Sequence, residues 1–539
     1  MSDSQAQTGE TTSQPQTEAL GARVGHGMAW MVVAAIANKL LTSIAQIVLG
    51  WKLDPEDFSV YAVATGVAGF VAVCKEAGMR ELLVQRGRER FDDLSGPAFW
   101  LAFWYNMVVA ALIGIIAYPL SLHLDKPEFA MVVLVLGIAL PVGTVGGILG
   151  SKLRNDLNFS VSSKIAVGVN LVRQTSSIGF ALGGMGALAL AIPAVLAAAY
   201  ESIASSRVSK INLWKKPART QEWPALFRDS RWLMFASLSN FAVDWGPFVM
   251  LLPLGLLTAE QNGQFYFGYS ITAQVGVLLG VSVLLVLTPA LTRMAHDPAR
   301  LRHAVLRSMR TLMLVASIAS LGLSACMPAL ESLLWHGKWE PSVWATVILG
   351  IFFPWRITFG LTAAILLAQG RFKLYSWLTL LEGAGLTASC CFAAWIEGSA
   401  TSVAIGGGLW LFVSRAVICM WVCKQLQLPR RELAVAMGST WIIAIAAGAA
   451  GWSADHFLPI RQVLPQYMPL GSDAVKLMIA DAVRGGVAGT VTSVLFLALA
   501  RVFLHEALKD VVRVAPMKVR RIMGIICGVR PDEQTESAA

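Results

Sequence analysis

Long apolar segments alternate with short polar segments from about residue 27 to residue 500. A helix needs about 20 mostly apolar residues to cross the hydrocarbon core of a bilayer. Fourteen segments meet this requirement, and their even number places both ends of the chain on the same side. The pattern predicts an all-α polytopic membrane protein with about 14 transmembrane helices at residues 27–51, 59–80, 97–121, 129–150, 161–183, 186–206, 233–257, 265–290, 311–335, 343–368, 374–397, 401–424, 432–452 and 475–500.

The composition supports the same class of protein. Of the 539 residues, 56% are hydrophobic and 14% are charged, whereas a soluble domain contains roughly 25% charged residues. The net charge of +10 does not indicate a nucleic-acid partner, because the basic residues are spread over many loops rather than gathered in one arm. The seven cysteines lie in apolar segments or near the C-terminus, so they predict neither a disulfide framework nor a metal site.

Basic residues concentrate in every second loop, and this asymmetry predicts the orientation in the membrane. The opposite loops contain little more than Lys52, Lys126, Lys338, Arg461 and Lys476. Because basic loops remain in the cytoplasm, both termini are predicted to be cytoplasmic. The predicted organisation is a disordered cytoplasmic tail (1–24), an N-lobe of six helices (25–206), a basic cytoplasmic linker (207–232), a C-lobe of six helices (233–424), two further helices (425–500) and a basic cytoplasmic tail (501–539). That last tail is predicted either to lie on the anionic inner leaflet or to form a solvated helix.

An acidic, proline-containing turn between the first two spans has an echo later in the chain. The first turn lies in "VLGWKLDPEDFSVYAVATG", and the second in "LGLLTAEQNGQFYFGYS". A shift of 204 residues aligns Leu53 with Leu257 and Glu56 with Glu260. Internal repeats are typical of transporter folds, which bind their substrate between the halves. A chance match between two apolar segments is the alternative.

Ionisable residues inside the spans are the candidate binding residues, because a charge within the membrane is costly and usually faces a bundle interior or a wet cavity. Lys39 and Asp244 lie well inside the first and seventh spans, which the repeat makes equivalent. Arg356 follows Pro354, which frees a backbone carbonyl. Arg173 and Arg415 are further candidates. The alternative for each is a structural ion pair between helices.

The sequence contains no motif for catalysis or nucleotide binding: there is no Walker loop, no HExxH and no GxSxG. Fourteen spans without an ATP site predict a secondary transporter rather than an enzyme. No cofactor is predicted, and a coupling ion, H⁺ or Na⁺, is left open. A membrane glycan polymerase or glycosyltransferase is disfavoured, because such enzymes carry catalytic acids or arginines in large outer loops, which the predicted topology lacks.

Several segments, in order along residues 25–425, resemble the Wzx-like polysaccharide transporters of the multidrug/oligosaccharidyl-lipid/polysaccharide superfamily. The resemblance begins with "QIVLGWKLDPEDFSVYAVA", which departs from the family at Ser59, where glycine is usual. It continues through the segments "EAGMRELLVQR", "KLRNDLNFSVSSK", "NFAVDW", "NGQFYFGYSITAQ" and "LTPALTRM".

This resemblance implies a V-shaped, MATE-like fold of two six-helix lobes with two additional C-terminal helices. It implies a flippase that moves undecaprenyl-diphosphate-linked oligosaccharide across the bacterial inner membrane by alternating access, for exopolysaccharide, capsule or O-antigen biosynthesis. The implied partners are the lipid-linked oligosaccharide, membrane lipids, and a polysaccharide polymerase with its export machinery.

The cargo implied by the resemblance gives the candidate residues their roles. A diphosphate needs cationic groups to replace its hydration, so Lys39 and Arg356, from different lobes, are the first candidates, followed by Arg173 and Arg415. Asp244 matches the acidic position of the family's seventh helix and is expected to tune the cavity or to couple an ion. Two related functions stay open: a cation-coupled drug or small-molecule antiporter, which would use fewer cationic residues, and a peptidoglycan lipid-precursor flippase, which differs only in cargo.

Overall fold

The computed structural model describes residues 14–72, 78–87, 89–156, 158–274, 298–368, 371–425, 427, 430–467, 472–514 and 517–529. These residues form α-helices joined by short turns. The helices are α1 (Gln14–Lys52), α2 (Pro55–Ala72), α3 (Met79–Arg86), α4 (Phe91–His123), α5 (Pro127–Asn155), α6 (Phe159–Leu182), α7 (Leu188–Ser209), α8 (Trp223–Leu251), α9 (259–274), α10 (Pro298–Trp335), α11 (Glu340–Ala368), α12 (Phe372–Glu397), α13 (Ala400–Gln425), α14 (Arg430–Phe457), α15 (Ile460–Val463), α16 (Asp473–Phe503), α17 (His505–Val514) and α18 (Met517–Cys527).

The apolar segments form helices because a helix is the only open-chain structure that satisfies every backbone group in lipid. Among the described residues, ten helices are long and apolar enough to cross a membrane. Four predicted spans lie outside this set. Two of them coincide with α6 and α8, and the other two, 59–80 and 265–290, coincide with α2 and α9 as far as residues 72 and 274, beyond which part of each lies outside the described residues. The predicted class, an α-helical multi-pass membrane protein, is confirmed, whereas the count of fourteen helices remains a prediction.

The helices pack in two groups with a further pair beside the second group. In the first group, α1 packs on α6, α4 on α5, and α7 on both α5 and α6. In the second, α8 packs on α12, α10 on α11, and α13 on both α11 and α12. The C-terminal helices α14 and α16 pack on each other and on α10. This arrangement agrees with the N-lobe, the C-lobe and the two additional helices expected from the sequence.

The two echoed turns meet where the lobes touch, at the predicted outer face. The Asn262 side chain donates a hydrogen bond to the Ser59 hydroxyl over 2.9 Å. The indole of Trp339 stacks on Phe267, with ring centroids 3.7 Å apart, and its Nε1 donates to the Gly50 carbonyl of α1 over 2.9 Å. These buried contacts hold the outer ends of α1 and α2 against α9 and the turn before α11.

The lobes also touch towards the predicted inner end, beside α2 and α8. Arg86 of α3 forms an ion pair there with Asp229 of α8. The inner segment of the eighth predicted span and the segment "LTPALTRM" at its inner end lie outside the described residues.

Residues 14–24 and most of the described part of the C-terminal tail are helical. Helix α1 begins at Gln14, within the segment predicted to be a disordered tail, because the Glu, Ala, Leu and Arg residues before the first span favour propagation of its helix. The C-terminal tail forms α17 and α18, which bury Leu508, Val512 and Cys527 against α10, α14 and α16. The start of this tail is therefore packed on the C-lobe and the C-terminal pair, an arrangement that differs from both predicted alternatives.

Candidate functional site

A polar stripe on α8 is the first part of the candidate site. Ser237, Asn240 and Asp244 share one face of this helix, and all three are exposed. The neighbouring faces pack on α2, through Phe241, and on α12. An exposed polar stripe on a membrane helix requires water, because lipid cannot satisfy its hydrogen bonds. We therefore interpret this stripe as the wall of a water-accessible cleft beside the junction of the lobes.

Arg356 of α11 reaches this stripe from within the C-lobe. Its guanidinium group forms an ion pair with Asp244, and its Nη1 donates to the Tyr269 hydroxyl of α9 over 2.8 Å. The same group lies 5.6 Å from the ring centroid of Tyr269 and 5.4 Å from that of Phe353. The Asp244 side chain is 50% exposed and that of Arg356 is 20% exposed. The cation is thus held at the wall of the cleft, between a carboxylate and aromatic rings.

A second polar contact extends the stripe towards the predicted inner end. The Tyr375 hydroxyl of α12 donates to Asn240 Oδ1 over 3.0 Å. Asn240 lies one helical turn before Asp244. Two successive positions of the polar stripe therefore each contact a side chain from another C-lobe helix.

Lys39 of α1 lies in a different place, at the junction of the two lobes. Its ammonium group donates to Gln274 Oε1 of α9, and two helical turns further along α1 Gln46 donates to Ser270 over 3.1 Å. Both residues line a groove of about 420 Å³ between α1, α9 and α10. The rest of its lining is mainly apolar and includes Leu323.

This groove combines a cationic group with an apolar surface. In the part of the chain that the structure describes, Lys39 forms no ion pair with a carboxylate; its hydrogen-bond partner is the neutral amide of Gln274. In this structure the ammonium group is therefore not neutralised by a described carboxylate, while the surrounding walls suit a hydrocarbon chain.

Arg173 lies on α6, beside polar side chains that pack on α1. Asn170 donates to the Asn38 carbonyl of α1 over 3.0 Å, and Gln174 donates to Asn170 Oδ1 over 3.1 Å. Arg173 itself is exposed and forms no ion pair with another described residue. The structure does not bring it together with Arg356.

Arg415 lies in the interior of the C-lobe rather than at the cleft wall. Its guanidinium group forms an ion pair with Glu382 of α12, and the two side chains are only 5% and 0% exposed. This arrangement corresponds to the structural interhelix pair that the sequence left open as the alternative for each intramembrane charge.

Three further residues complete the site and were not predicted as site residues from the sequence. Tyr269 and Gln274 lie on α9 and Asn240 lies on α8. The available signal was spacing, because Asn240 precedes Asp244 by four residues and Ser270 precedes Gln274 by four residues, which places each pair on one helix face.

Comparison with known proteins places the chain in a family. Residues 29–344 match a family described as "Polysaccharide biosynthesis protein". The chain belongs to this family. It is 25% identical over 410 residues to the succinoglycan biosynthesis transport protein ExoT of Rhizobium meliloti (strain 1021), covering 74% of this chain and 77% of that protein. An uncharacterized membrane protein in the cps region of Klebsiella pneumoniae is 18% identical over 348 residues, covering 64% of this chain and 71% of that one.

Two solved structures share the fold. The lipid II flippase MurJ, in an inward closed conformation, aligns over 87% of this chain and 98% of its own, with a TM-score of 0.64 and 10% identity. A multidrug resistance MATE family transporter of the MOP superfamily, in an inward-facing conformation, aligns over 73% and 98%, with a TM-score of 0.57 and 14% identity. At these identities the likeness concerns the fold alone, and it confirms the predicted MATE-like arrangement of this polysaccharide biosynthesis family member.

Proposed function

We propose that this membrane protein flips an oligosaccharide linked to undecaprenyl diphosphate across the bacterial inner membrane, for exopolysaccharide, capsule or O-antigen assembly. The observation that carries the proposal is the position of Lys39, whose ammonium group lies in an apolar groove at the lobe junction. A lipid-linked sugar needs this combination of an apolar path for its polyprenyl chain and a cation for its diphosphate. Membership of the polysaccharide biosynthesis family supports the same cargo class.

In this proposal the diphosphate is bound by cations from both lobes. Lys39 supplies a point charge from the N-lobe, and Arg356 supplies planar donors from the C-lobe. Hydrogen bonds from such cations to phosphate oxygens are among the strongest in proteins. Arg173 remains a third candidate, whereas Arg415 would have to leave its buried partner Glu382 to reach the cargo.

Transport in this proposal proceeds by alternating access, with both termini in the cytoplasm. The contacts of Ser59 with Asn262 and of Trp339 with Gly50 close the outer ends of the lobes. The head group enters from the inner side while its tail remains in the groove, and rocking of the lobes then separates the outer contacts. A coupling ion, H⁺ or Na⁺, or the membrane potential at about 2.3 kcal/mol per charge per 100 mV supplies the drive.

The test is deletion of the gene in its host, followed by localisation of lipid-linked oligosaccharide. We expect full-length repeat units to accumulate on the inner leaflet and surface polysaccharide to be lost, and both defects to be restored by the wild-type gene. Complementation with Lys39→Ala, Arg356→Ala and the double variant then tests the assigned roles. Unchanged export in all three variants would remove those roles.

A drug or small-molecule antiporter is the second candidate function, and the exposed Asp244 carboxylate favours it. In this structure the carboxylate is already paired with Arg356, which makes it less suited to a cationic drug. Normal surface polysaccharide with increased sensitivity to cationic drugs in the deletion strain would favour the antiporter. Loss of viability with accumulated peptidoglycan precursor would instead identify the peptidoglycan lipid as cargo.

A further inference from the structure

A second cavity, of about 780 Å³, lies at the predicted outer face between the C-lobe and the two C-terminal helices. The ends of α10 and α14, the start of α11, and α15 with α16 line it. Its lining shares no residue with the Lys39 groove and does not include the Asp244–Arg356 pair. Its volume falls in the range of roughly 300–1,000 Å³ that small-molecule sites occupy.

The floor of this cavity is a connected network of charges. Arg484 donates to both carboxylate oxygens of Asp455, over 3.0 and 2.8 Å. It also donates to Asp481 over 3.1 Å, and Arg461 lies 3.4 Å from the same carboxylate. Charges buried in such a network hold one another in fixed positions. The network therefore orders the floor of the cavity, while the Arg461 side chain is 50% exposed, so that a ligand can reach its guanidinium group.

One wall of the cavity is aromatic. The rings of Trp344 and Trp452 lie 5.8 Å apart between centroids, and Trp452 stacks on His456 at 5.3 Å with an interplanar angle of 3°. Trp344 is 50% exposed. Flat rings offer an apolar face, and the adjacent carboxylates and guanidinium groups offer hydrogen-bond acceptors and donors. A pyranose ring needs this pairing, because its C–H face is apolar while its hydroxyls both donate and accept.

The charged side chains that line the cavity indicate which class of ligand it can bind. Three carboxylates line the cavity, on Glu331, Glu340 and Asp455, together with two guanidinium groups, on Arg461 and Arg484. The carboxylate of Asp481 lies directly behind them. Because acidic groups outnumber these basic groups, an anion such as a diphosphate is disfavoured and a neutral or amino sugar is favoured.

We propose that this outer cavity is a saccharide-binding site, which holds the glycan part of the cargo after the head group has crossed the membrane. The proposal rests on the proposed flippase function and assigns it a second subsite, separate from the diphosphate-binding cations. Its position at the outer ends of the helices suits a glycan that has left the cleft between the lobes.

One residue joins this site to the contact between the lobes. Glu331 lines the cavity, and its Oε1 accepts a hydrogen bond from the Trp339 backbone N–H over 2.9 Å. Trp339 is fully buried and makes the outer contact with Gly50 of α1. The turn between them contains His336 at φ 55° and Gly337 at φ 90°, so Glu331 fixes a strained turn. A sugar bound beside Glu331 would therefore lie next to the carboxylate that positions Trp339 in the outer contact between the lobes.

Binding to the purified full-length protein in nanodiscs tests the site. The probe is the host's own repeat-unit glycan, released from its carrier by mild acid and free of lipid and phosphate. We expect saturable quenching of tryptophan fluorescence and a signal in calorimetry, without displacement by inorganic diphosphate. Glu340→Gln and Trp452→Ala each remove one contact and should weaken binding about tenfold, as the loss of about 1.4 kcal/mol does.

The matched control is Trp395→Ala, which removes an indole that is 73% exposed on α12 and lies outside the cavity; it should bind as the wild type does. Trp452→Phe keeps an aromatic face and should retain most of the affinity, which separates loss of stacking from misfolding. The proposal is overturned if the wild type does not bind the glycan, if diphosphate displaces it, or if Arg356→Ala abolishes binding while Trp452→Ala and Glu340→Gln do not. Failure of the flippase function itself is detected separately, by the absence of inner-leaflet accumulation in the deletion strain.

Discussion

The Asn262 side-chain amide donates a hydrogen bond to the Ser59 hydroxyl over 2.9 Å, and both side chains are fully buried. The two residues are 203 positions apart and belong to the two echoed turns, one in each lobe. Ser59 is also the position at which this chain departs from the glycine usual in the flippases it resembles. A buried hydroxyl needs a hydrogen-bond partner, and here the partner comes from the opposite turn. Ser59, which replaces the usual glycine, and Asn262, which donates a hydrogen bond to it, therefore both lie in the outer contact between the lobes.

The close approach of these turns predicts the effect of Gly263→Ala. A Cβ atom at Gly263 would clash with the carbonyl oxygen of Pro55, so the substitution should separate the outer ends of the lobes. We expect a cysteine at position 59, buried in the wild-type contact, to react faster with a membrane-impermeant maleimide in the Gly263→Ala background. The control is Gly322→Ala on α10, where a Cβ meets no atom within 4 Å. Equal labelling in both backgrounds would contradict the prediction.

The Asp244–Arg356 pair predicts that export requires an arginine, and not simply a positive charge, at position 356. Arg356 holds Asp244 and Tyr269 with different nitrogens, which a lysine ammonium group cannot reproduce. We expect Arg356→Lys and Arg356→Ala both to reduce surface polysaccharide strongly. In a double-mutant cycle with Asp244→Ala, the coupling should be about 0.5–3 kcal/mol, because contacting residues are not additive.

Export for this cycle is measured as surface polysaccharide per unit of protein in the membrane. Arg207→Ala is the control, since Arg207 is exposed at the end of α7. Additive effects of the two substitutions would show that the pair does not act as a unit.

The Lys39 groove predicts where the cargo lies. A charge-assisted hydrogen bond contributes about 1.5–3 kcal/mol, so Lys39→Ala should lower the affinity for the lipid-linked cargo about 10- to 100-fold, and Lys39→Glu should abolish export. A photo-crosslinking residue at Leu323, which lines the groove, should capture the polyprenyl carrier. The same residue placed at Phe392, which is 62% exposed on α12, should capture bulk phospholipid instead. Equal capture of the carrier at both positions would remove the groove from the transport path.

Much of the fold follows from the sequence, because a long apolar segment has few alternatives to a helix in lipid. The pairing of helices does not follow in the same way. Asp244 and Arg356 were singled out as costly charges, yet they are 112 residues apart, and only the packing of α8 on the C-lobe shows that each is the other's partner. Tyr269 was missed because a tyrosine in an apolar span is a common core residue. Helix α1 extends back to Gln14 and α17 is packed against the C-lobe, because helix propagation and burial of Leu508 and Val512 outweigh the polar composition of these segments.

The Glu382–Arg415 pair predicts effects on stability that distinguish a structural role of Arg415 from a role in transport. Removing one partner of a buried pair leaves an uncompensated charge and costs about 3–5 kcal/mol, whereas replacing both with apolar residues of similar size is often neutral. Glu382→Gln and Arg415→Met should therefore each lower the melting temperature of the purified protein, and Glu382→Leu with Arg415→Met should largely restore it. If the stable double variant exports normally, Arg415 is structural. If it is stable but inactive, Arg415 contacts the cargo.

The C-terminal tail predicts a pH dependence, because α17, which lies outside the predicted spans, carries a largely buried carboxylate, that of Asp510. Burial raises the pKa of Asp510 above its ordinary value of 3.8, and the nearby arginines, including Arg307 at 3.5 Å, offset only part of this. The pKa of Asp510 is therefore lower when the tail is undocked than when it is docked. The stability that Asp510 contributes is complete below pH 3.8 and is lost as the pH rises through the raised, docked-state pKa.

Two spin labels, at Val502 and Ile525, report whether the tail remains docked, since both positions are 72% exposed. We expect their distance distribution to be narrow at acidic pH and to broaden as the pH rises towards neutrality. Asp510→Asn should keep it narrow throughout, because the amide cannot ionise. Glu506→Gln on the same helix is the control, since that carboxylate is 71% exposed and its replacement should leave the broadening unchanged. A tail that loosens as the pH falls would show instead that the ion pair with Arg307 outweighs the cost of burying the Asp510 carboxylate.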